Sequence, residues 1–297
     1  MFIDLTKRNI KLYLRDKSTV FFSLISSLII IALFVLFLGK VYIDNTVSQF
    51  AEYGTIERSS LQALIFSWIL AGIIVLNSIS IPQMILSRII LDKEANITND
   101  FYVIPFKRSI LTLSYLASSV LVGTVITYIS FLVGEGYIYL LSGQLFSVST
   151  HVLILGIILL CTTSFSSLMY LIYMFVKTSS TVGGLTAFTS SIGGFLAGIY
   201  ISIGGLSGIT KDIISSNPLA HATALVRDVL MSSQIDSIFK HFPKEVVKEF
   251  TDGMGVNLYV GTTQLNNLHY IIGLVLVTVI CFGISYFKLS KEKPKLE

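Results

Sequence analysis

The sequence predicts an all-α integral membrane protein. Six transmembrane helices are expected, with an amphipathic interfacial helix before the first and short extracellular helices between the fifth and sixth. Three observations carry this. Of 297 residues, 53% are hydrophobic and only 13% charged, where water-soluble domains carry about a quarter charged residues. The mean hydropathy is +0.79, and the apolar residues gather in runs long enough to cross the ~30 Å hydrocarbon core, which needs roughly 20 helical residues. Lys and Arg are distributed unequally between the connecting segments.

The six runs are Val20–Gly39, Leu61–Leu86, Ile110–Val133, Val152–Val176, Ser180–Ile203 and Tyr270–Phe287. Uniformly apolar runs favour helices, which satisfy their own backbone in lipid. The third run extends naturally through Gly134–Leu141. With the N-terminus inside, 14 of the 21 Lys and Arg fall inside with 7 acids, net +7; outside fall 7 with 10 acids, net −3. Both termini and the loop at 89–108 are therefore expected in the cytoplasm, and the segment 204–269 outside. The first run is longer than the apolar stretch of a cleaved signal, and VYIDN lacks a small-x-small site, so it is expected to remain as a span.

Residues 1–18 precede the first span. At 100° per residue Asp4, Lys7, Arg8, Lys11 and Arg15 share one arc of about 100°, with Phe2, Ile3, Leu5, Ile10, Leu12, Tyr13 and Leu14 opposite. This pattern suits a helix lying on the inner leaflet, its basic residues at the lipid headgroups, and it also serves as a topogenic charge cluster.

The loop LDKEANITNDFYVIPFKRS is a charged island between two spans. Connections of 2–8 residues suffice between packed helices. Here about 20 residues surround Phe101 and Tyr102 with Asp92, Lys93, Glu94, Asp100, Lys107 and Arg108. Aromatics rimmed by charge suit a docking surface; a solvated topogenic linker is the plainer reading. Pro105 sets an extended step before Ser109, a candidate cap for the third span.

In the fifth run Thr186, Ser190, Gly194, Gly198 and Ser202 recur every four residues. Such a stripe lets helices approach closely in lipid. It fits either a contact between two copies that lines a central path or packing within one subunit. Glu135 is the one acid near a span interior. It is an interfacial acid facing water if the span is short, or faces a path if the helix is long or tilted. The hydroxyl cluster Thr162, Thr163, Ser164, Ser166 and Ser167 is expected to bond within its helix or to neighbours. Between spans five and six, SNPLAHATALVRDVLMSS reads as a helix capped at Ser216 or Asn217 with Pro218 first, and FPKEVVKEFTDG as a second with Pro243 early and Gly253 at its end.

Nothing on the chain points to catalysis. There is no G-x-x-x-x-G-K-[ST] loop to cradle phosphate and no G-x-S-x-G. The four histidines have no ligand spacing, so no metal is expected. Cys161 and Cys281 sit within apolar runs and read as small apolar residues.

Three segments carry a resemblance. They are KRNIKLYLRDK followed by VFFSL (Lys7–Lys17, Val20–Leu24), the loop pattern from Leu91 through Ile97, Asp100-Phe101, Val103 and Pro105–Ser109, and Asn217–His221 followed by Arg227-Asp228. Together they resemble ABC-2 type transporter permeases, the six-span subunits of ATP-binding cassette exporters, over essentially the whole chain. The resemblance implies a coupling helix within Asp92–Asp100 that docks on a separate ATPase, with Glu94, Phe101 and Tyr102 among the contacts. ATP and Mg would be bound by that ATPase and no cofactor by this chain. It implies a second permease, identical or paralogous, whose second and fifth spans with those of this chain flank the translocation path. It also implies outer helices that dip into the membrane. Many relatives carry Gly near Ala95-Asn96. A span set so poor in charge suits an amphipathic drug, peptide or lipid-like cargo. A polysaccharide or lipid-linked polymer, moving along aromatics such as Tyr128, Phe131, Tyr137, Tyr139, Tyr170 and Tyr173, is the alternative. An ion-driven secondary transporter would show inverted repeats or broken helices, and a non-transporting scaffold would need no ATPase. No feature suggests nucleic acid as a partner.

Overall fold

A computed structural model describes residues 1–33, 36, 39–97 and 108–291. Twelve helices are present among them: α1 (Phe2–Arg15), α2 (Lys17–Leu33), α3 (Gly39–Phe50), α4 (Arg58–Leu86), α5 (Arg88–Glu94), α6 (Arg108–Ser142), α7 (Val148–Tyr173), α8 (Ser179–Leu196), α9 (Gly208–Ser215), α10 (Pro218–Ile238), α11 (Lys244–Gly253) and α12 (Asn267–Lys291). A 3₁₀ turn at Ile203–Gly205 and a small hairpin pairing Tyr259–Val260 with Thr263–Gln264 complete them. The all-α membrane character expected from composition is therefore observed.

Among the described residues four helical segments are long and apolar enough to span: Arg58–Glu94, Ser109–Ser142, Val148–Tyr173 and Asn267–Lys288. A fifth is obtained if α1 and α2, bent by 73° to one another, count as one broken span. The expected fifth run, Ser180–Ile203, differs most. Its helix stops at Leu196, and its many Gly, Ser and Thr residues make it less apolar than the others. The third span runs on to Ser142. The segment after the first span is helical through Phe50 rather than an open loop.

The second span lies at the centre. Within Leu61–Leu86 every residue except Gln62, Ser80 and Met84 is buried. It packs on α6, α7, α10, α8 and α3 of its own chain. The expected part of span two in flanking a path is thus not met by an open face: its own neighbours enclose it. A run apolar on every side can be surrounded by lipid or by protein, and hydropathy does not separate the two.

Hydroxyls tie the spans together. Thr124 shares a hydrogen bond with Thr162 (2.9 Å), Ser119 donates to Ser166 (3.1 Å), and Ser164 donates to the Leu274 carbonyl (3.0 Å). Most of the cluster read in the fourth span therefore serves helix packing. The aromatics follow the same rule. Phe131, Tyr170 and Tyr173 are buried and fill the core, Tyr137 packs tilted on Phe66 at 4.6 Å, and Tyr139 is exposed. Cys161 and Cys281 are free and buried, as expected of small apolar residues.

Asn217 caps α10 through the Leu219 N–H (2.9 Å), with Pro218 in the first turn. The helix is longer than the sequence pattern marks, because its apolar side is buried against α4, α12 and α7.

Candidate functional site

The charged island begins as α5, which continues α4 almost without a break. Its apolar residue Ile90 is buried. The helix ends at Ala95, and Asn96 takes the left-handed conformation (φ 59°). Asn is among the few non-glycine residues that tolerate this state, which accounts for a helix end here without a glycine.

Three bonds fix α5 to the rest of the molecule. The Asp92 carboxylate, nearly inaccessible, accepts from Arg8 Nη1 of α1 at 2.8 Å and from the Tyr115 hydroxyl of α6 at 2.5 Å. Glu94 Oε1 accepts from the Ser179 backbone N–H, the first residue of α8, at 2.7 Å. A carboxylate there also meets the positive end of the helix dipole. Asp92 therefore points inward and acts as a clamp, not as a surface contact. Lys93 and Glu94 are exposed. Asp100, Phe101 and Tyr102 lie outside the described residues.

The basic arc of α1 is divided. Lys7, Lys11 and Arg15 are exposed, whereas Arg8 is drawn to Asp92. The apolar arc is divided too: Leu5 and Tyr13 are buried, chiefly against α6, while Ile3 and Leu14 remain exposed beside the lysines. A surface with free apolar residues next to free cations suits a lipid interface.

The small-residue stripe is continuous only through Gly194. Thr186 accepts from Gln83 Nε2 (3.2 Å), and Ser190 is exposed. A Cβ at Gly194 would meet the ring of Tyr200, so this chain fills that notch itself. Gly198 has φ +65° and ends the helix. Ser202 lies beyond the end and donates to the Gly253 carbonyl. The four-residue spacing across these last positions is not a helical face.

Glu135 lies within α6 and is buried. Its Oε1 accepts from the Phe146 N–H (2.9 Å) and faces His151 Nε2 (3.1 Å), while His151 Nδ1 meets the Tyr128 hydroxyl (3.1 Å). Its bonds are all made within its own chain. It braces the turn between α6 and α7, an engagement possible because the helix runs past it to Ser142.

One residue that sequence reasoning left without a role organises the opposite end of the bundle. Arg227 of α10 is fully buried and has no ion-pair partner among the described residues. Its Nη2 donates to the Gly198 carbonyl at 2.7 Å and its Nη1 to the Gly255 carbonyl at 3.3 Å. Both glycines are left-handed, φ +65° and +66°. Each closes a Schellman turn: Ile199 N–H bonds Gly194 and Gly198 N–H bonds Phe195, and Val256 bonds Thr251 as Gly255 bonds Asp252. The guanidinium thus sits against the negative ends of α8 and α11, each worth roughly half a charge. Its flat face lies 4.7 Å from the Trp68 ring centre, and Trp68 Nε1 donates to Met254 at 2.6 Å. Two helix ends and an indole stand in for a carboxylate. The signal available in sequence was a single Arg amid the apolar run ATALVRDVLM.

Gly198→Ala tests this arrangement. The left-handed backbone costs an L-residue about 1–2 kcal/mol, and the new Cβ would sit 2.8 Å from Ile203. A lower thermal midpoint is expected in detergent; an unchanged midpoint would show that the turn tolerates a side chain.

Residues 2–231 match the family model described as ABC-2 type transporter. No curated protein matches the chain.

Proposed function

The chain belongs to the ABC-2 type transporter family, and from that premise we propose that it is the membrane permease subunit of an ATP-binding cassette exporter. A separate ATPase supplies the energy and holds ATP and Mg. The observation that carries this reading is the placement of α5. A helix of seven residues at one end of the bundle is bonded to α1, α6 and α8 at once. A push on its exposed side, where Lys93 and Glu94 stand, would reach the interfacial helix, the third span and the fifth together.

In this reading the α5 end faces the cytoplasm, which the charge asymmetry supports. The α1–α2 pair makes the first span and α8 the fifth, for six in all. A second permease, identical or paralogous, packs against α8, whose Phe188, Ile192 and Phe195 are exposed together with Ser190. A face mixing apolar and hydroxyl groups suits an amphipathic cargo: a drug, a peptide or a lipid-like molecule. Polymer export receives less support, since Phe131, Tyr170 and Tyr173, three of the six aromatics it would use, are buried in the core.

Glu94→Arg combined with Phe101→Ala should abolish ATP-driven export from proteoliposomes, by about tenfold or more, with membrane insertion unchanged. Undiminished export would remove the coupling role from this helix. The same assay separates the ion-driven alternative. Glu135→Gln should leave ATP-driven export intact, because that carboxylate holds a turn.

A further inference from the structure

A cavity of about 260 Å³ opens where the α1–α2 bend meets the α4–α5 junction and the first turns of α8. Arg88 and Asn9 line it, with Ser18, Asp16, Phe22 and Leu91. Arg88 is half-buried and has no ion-pair partner among the described residues. Asn9 is 2% exposed, and its Nδ2 has no acceptor among the described residues, although its Oδ1 takes a bond from Arg8 at 3.1 Å. Unmet buried donors carry a cost, and a guanidinium is a preferred partner for phosphate oxygens. The opposing acid, Asp16, is already engaged: its Oδ1 accepts from the Thr19 N–H (3.1 Å) and its Oδ2 from the Thr19 hydroxyl (2.7 Å), capping α2, and Arg88 acts on it through space without a direct ion pair.

We propose that this cavity binds the phosphate headgroup of an anionic phospholipid from the inner leaflet, with Arg88 as its charge partner. The rim favours a lipid over soluble phosphate. Phe22 and Leu91 line the cavity and are exposed, and Phe21 beside Phe22 is exposed as well. An acyl chain leaving the headgroup therefore meets an apolar surface at once. The exposed Lys7, Lys11 and Arg15 on the adjoining helix raise the local concentration of anionic lipid. A bound headgroup would join α1, α2 and α5 at the point where the interfacial helix turns into the membrane. The inference uses the charge asymmetry that puts this end in the cytoplasm, but not the ATPase partnership, so each can fail alone.

Native mass spectrometry of the full-length protein in detergent tests it, with dimyristoyl phosphatidylglycerol, dimyristoyl phosphatidylcholine and inorganic phosphate as probes. Phosphatidylglycerol should be retained in preference to phosphatidylcholine. Arg88→Gln should lower that retention about tenfold, as the loss of one charge-assisted contact of ~1.4 kcal/mol would. Arg88→Lys should keep part of it, and Lys248→Gln, on α11 far from the cavity and from α1, all of it. Equal retention of the two lipids, or full retention in Arg88→Gln, would overturn the proposal. Displacement of phosphatidylglycerol by millimolar phosphate would reassign the site to a soluble anion and overturn the lipid assignment. Should Arg88→Gln aggregate, Asn9→Ala carries the comparison: reduced phosphatidylglycerol retention is expected, and unchanged retention counts against the site.

Discussion

Replacing Arg227 by Met is expected to destabilise the protein by about 2–5 kcal/mol. Two effects oppose each other. Removing a buried charge can be neutral or even stabilising when apolar groups fill the space. Here, however, the charge is balanced by two helix C-termini, and its loss leaves the carbonyls of Gly198 and Gly255 buried beside Trp68 without a donor. Each orphaned acceptor costs about 1–3 kcal/mol. The second effect therefore wins. Arg227→Lys keeps the charge but not the flat fork that reaches two carbonyls and stacks on an indole, so an intermediate loss is expected. Thermal unfolding in detergent, with membrane insertion as control, measures both. A Met variant as stable as the wild type would show that the helix ends do not depend on this residue.

Asp92→Ala should release α5 from the bundle. The carboxylate is nearly buried and serves two partners, so its removal strands the Tyr115 hydroxyl and takes the ion pair from Arg8. About 2–3 kcal/mol is expected, and less for Arg8→Ala, because the Arg8 side chain is 27% exposed and solvent screens it. A double-mutant cycle should return an interaction of about 1 kcal/mol between them. Cleavage by added protease near Ala95 should rise sharply in Asp92→Ala, since the helix before it loses its anchor. Additive effects with unchanged protection would mean that the contact does not hold α5 in place.

The spans at Leu61, Ile110, Val152 and Tyr270 were legible because a run of apolar residues reports directly on transfer into hydrocarbon. The Asn217-Pro218 cap was legible because capping is a local event. What hydropathy does not carry is the identity of the neighbour. It marks Leu61–Leu86 as buried, but whether lipid or protein buries it depends on the helices packed around it. Asp92 reads as one charge among several in a polar loop, and its inward turn follows from Arg8 and Tyr115, 84 and 23 positions away in sequence. The stripe from Thr186 to Ser202 kept its spacing on paper across a helix end. Gly198 fits the pattern as a small residue, but the backbone uses it as a left-handed cap. Arg227 became intelligible only when two helix termini, distant in sequence, were found at its guanidinium.

The exporter reading rests on a partnership, and co-purification measures that directly. The tagged full-length protein would be extracted from its native host in mild detergent beside a version in which residues 93–107 are replaced by a Gly/Ser linker of equal length, leaving the Asp92 clamp intact. An ATP-binding cassette ATPase at near one-to-one ratio with the intact chain, and lost from the linker version, is the expected result. A folded permease that brings down no ATPase in several detergents would contradict the assignment.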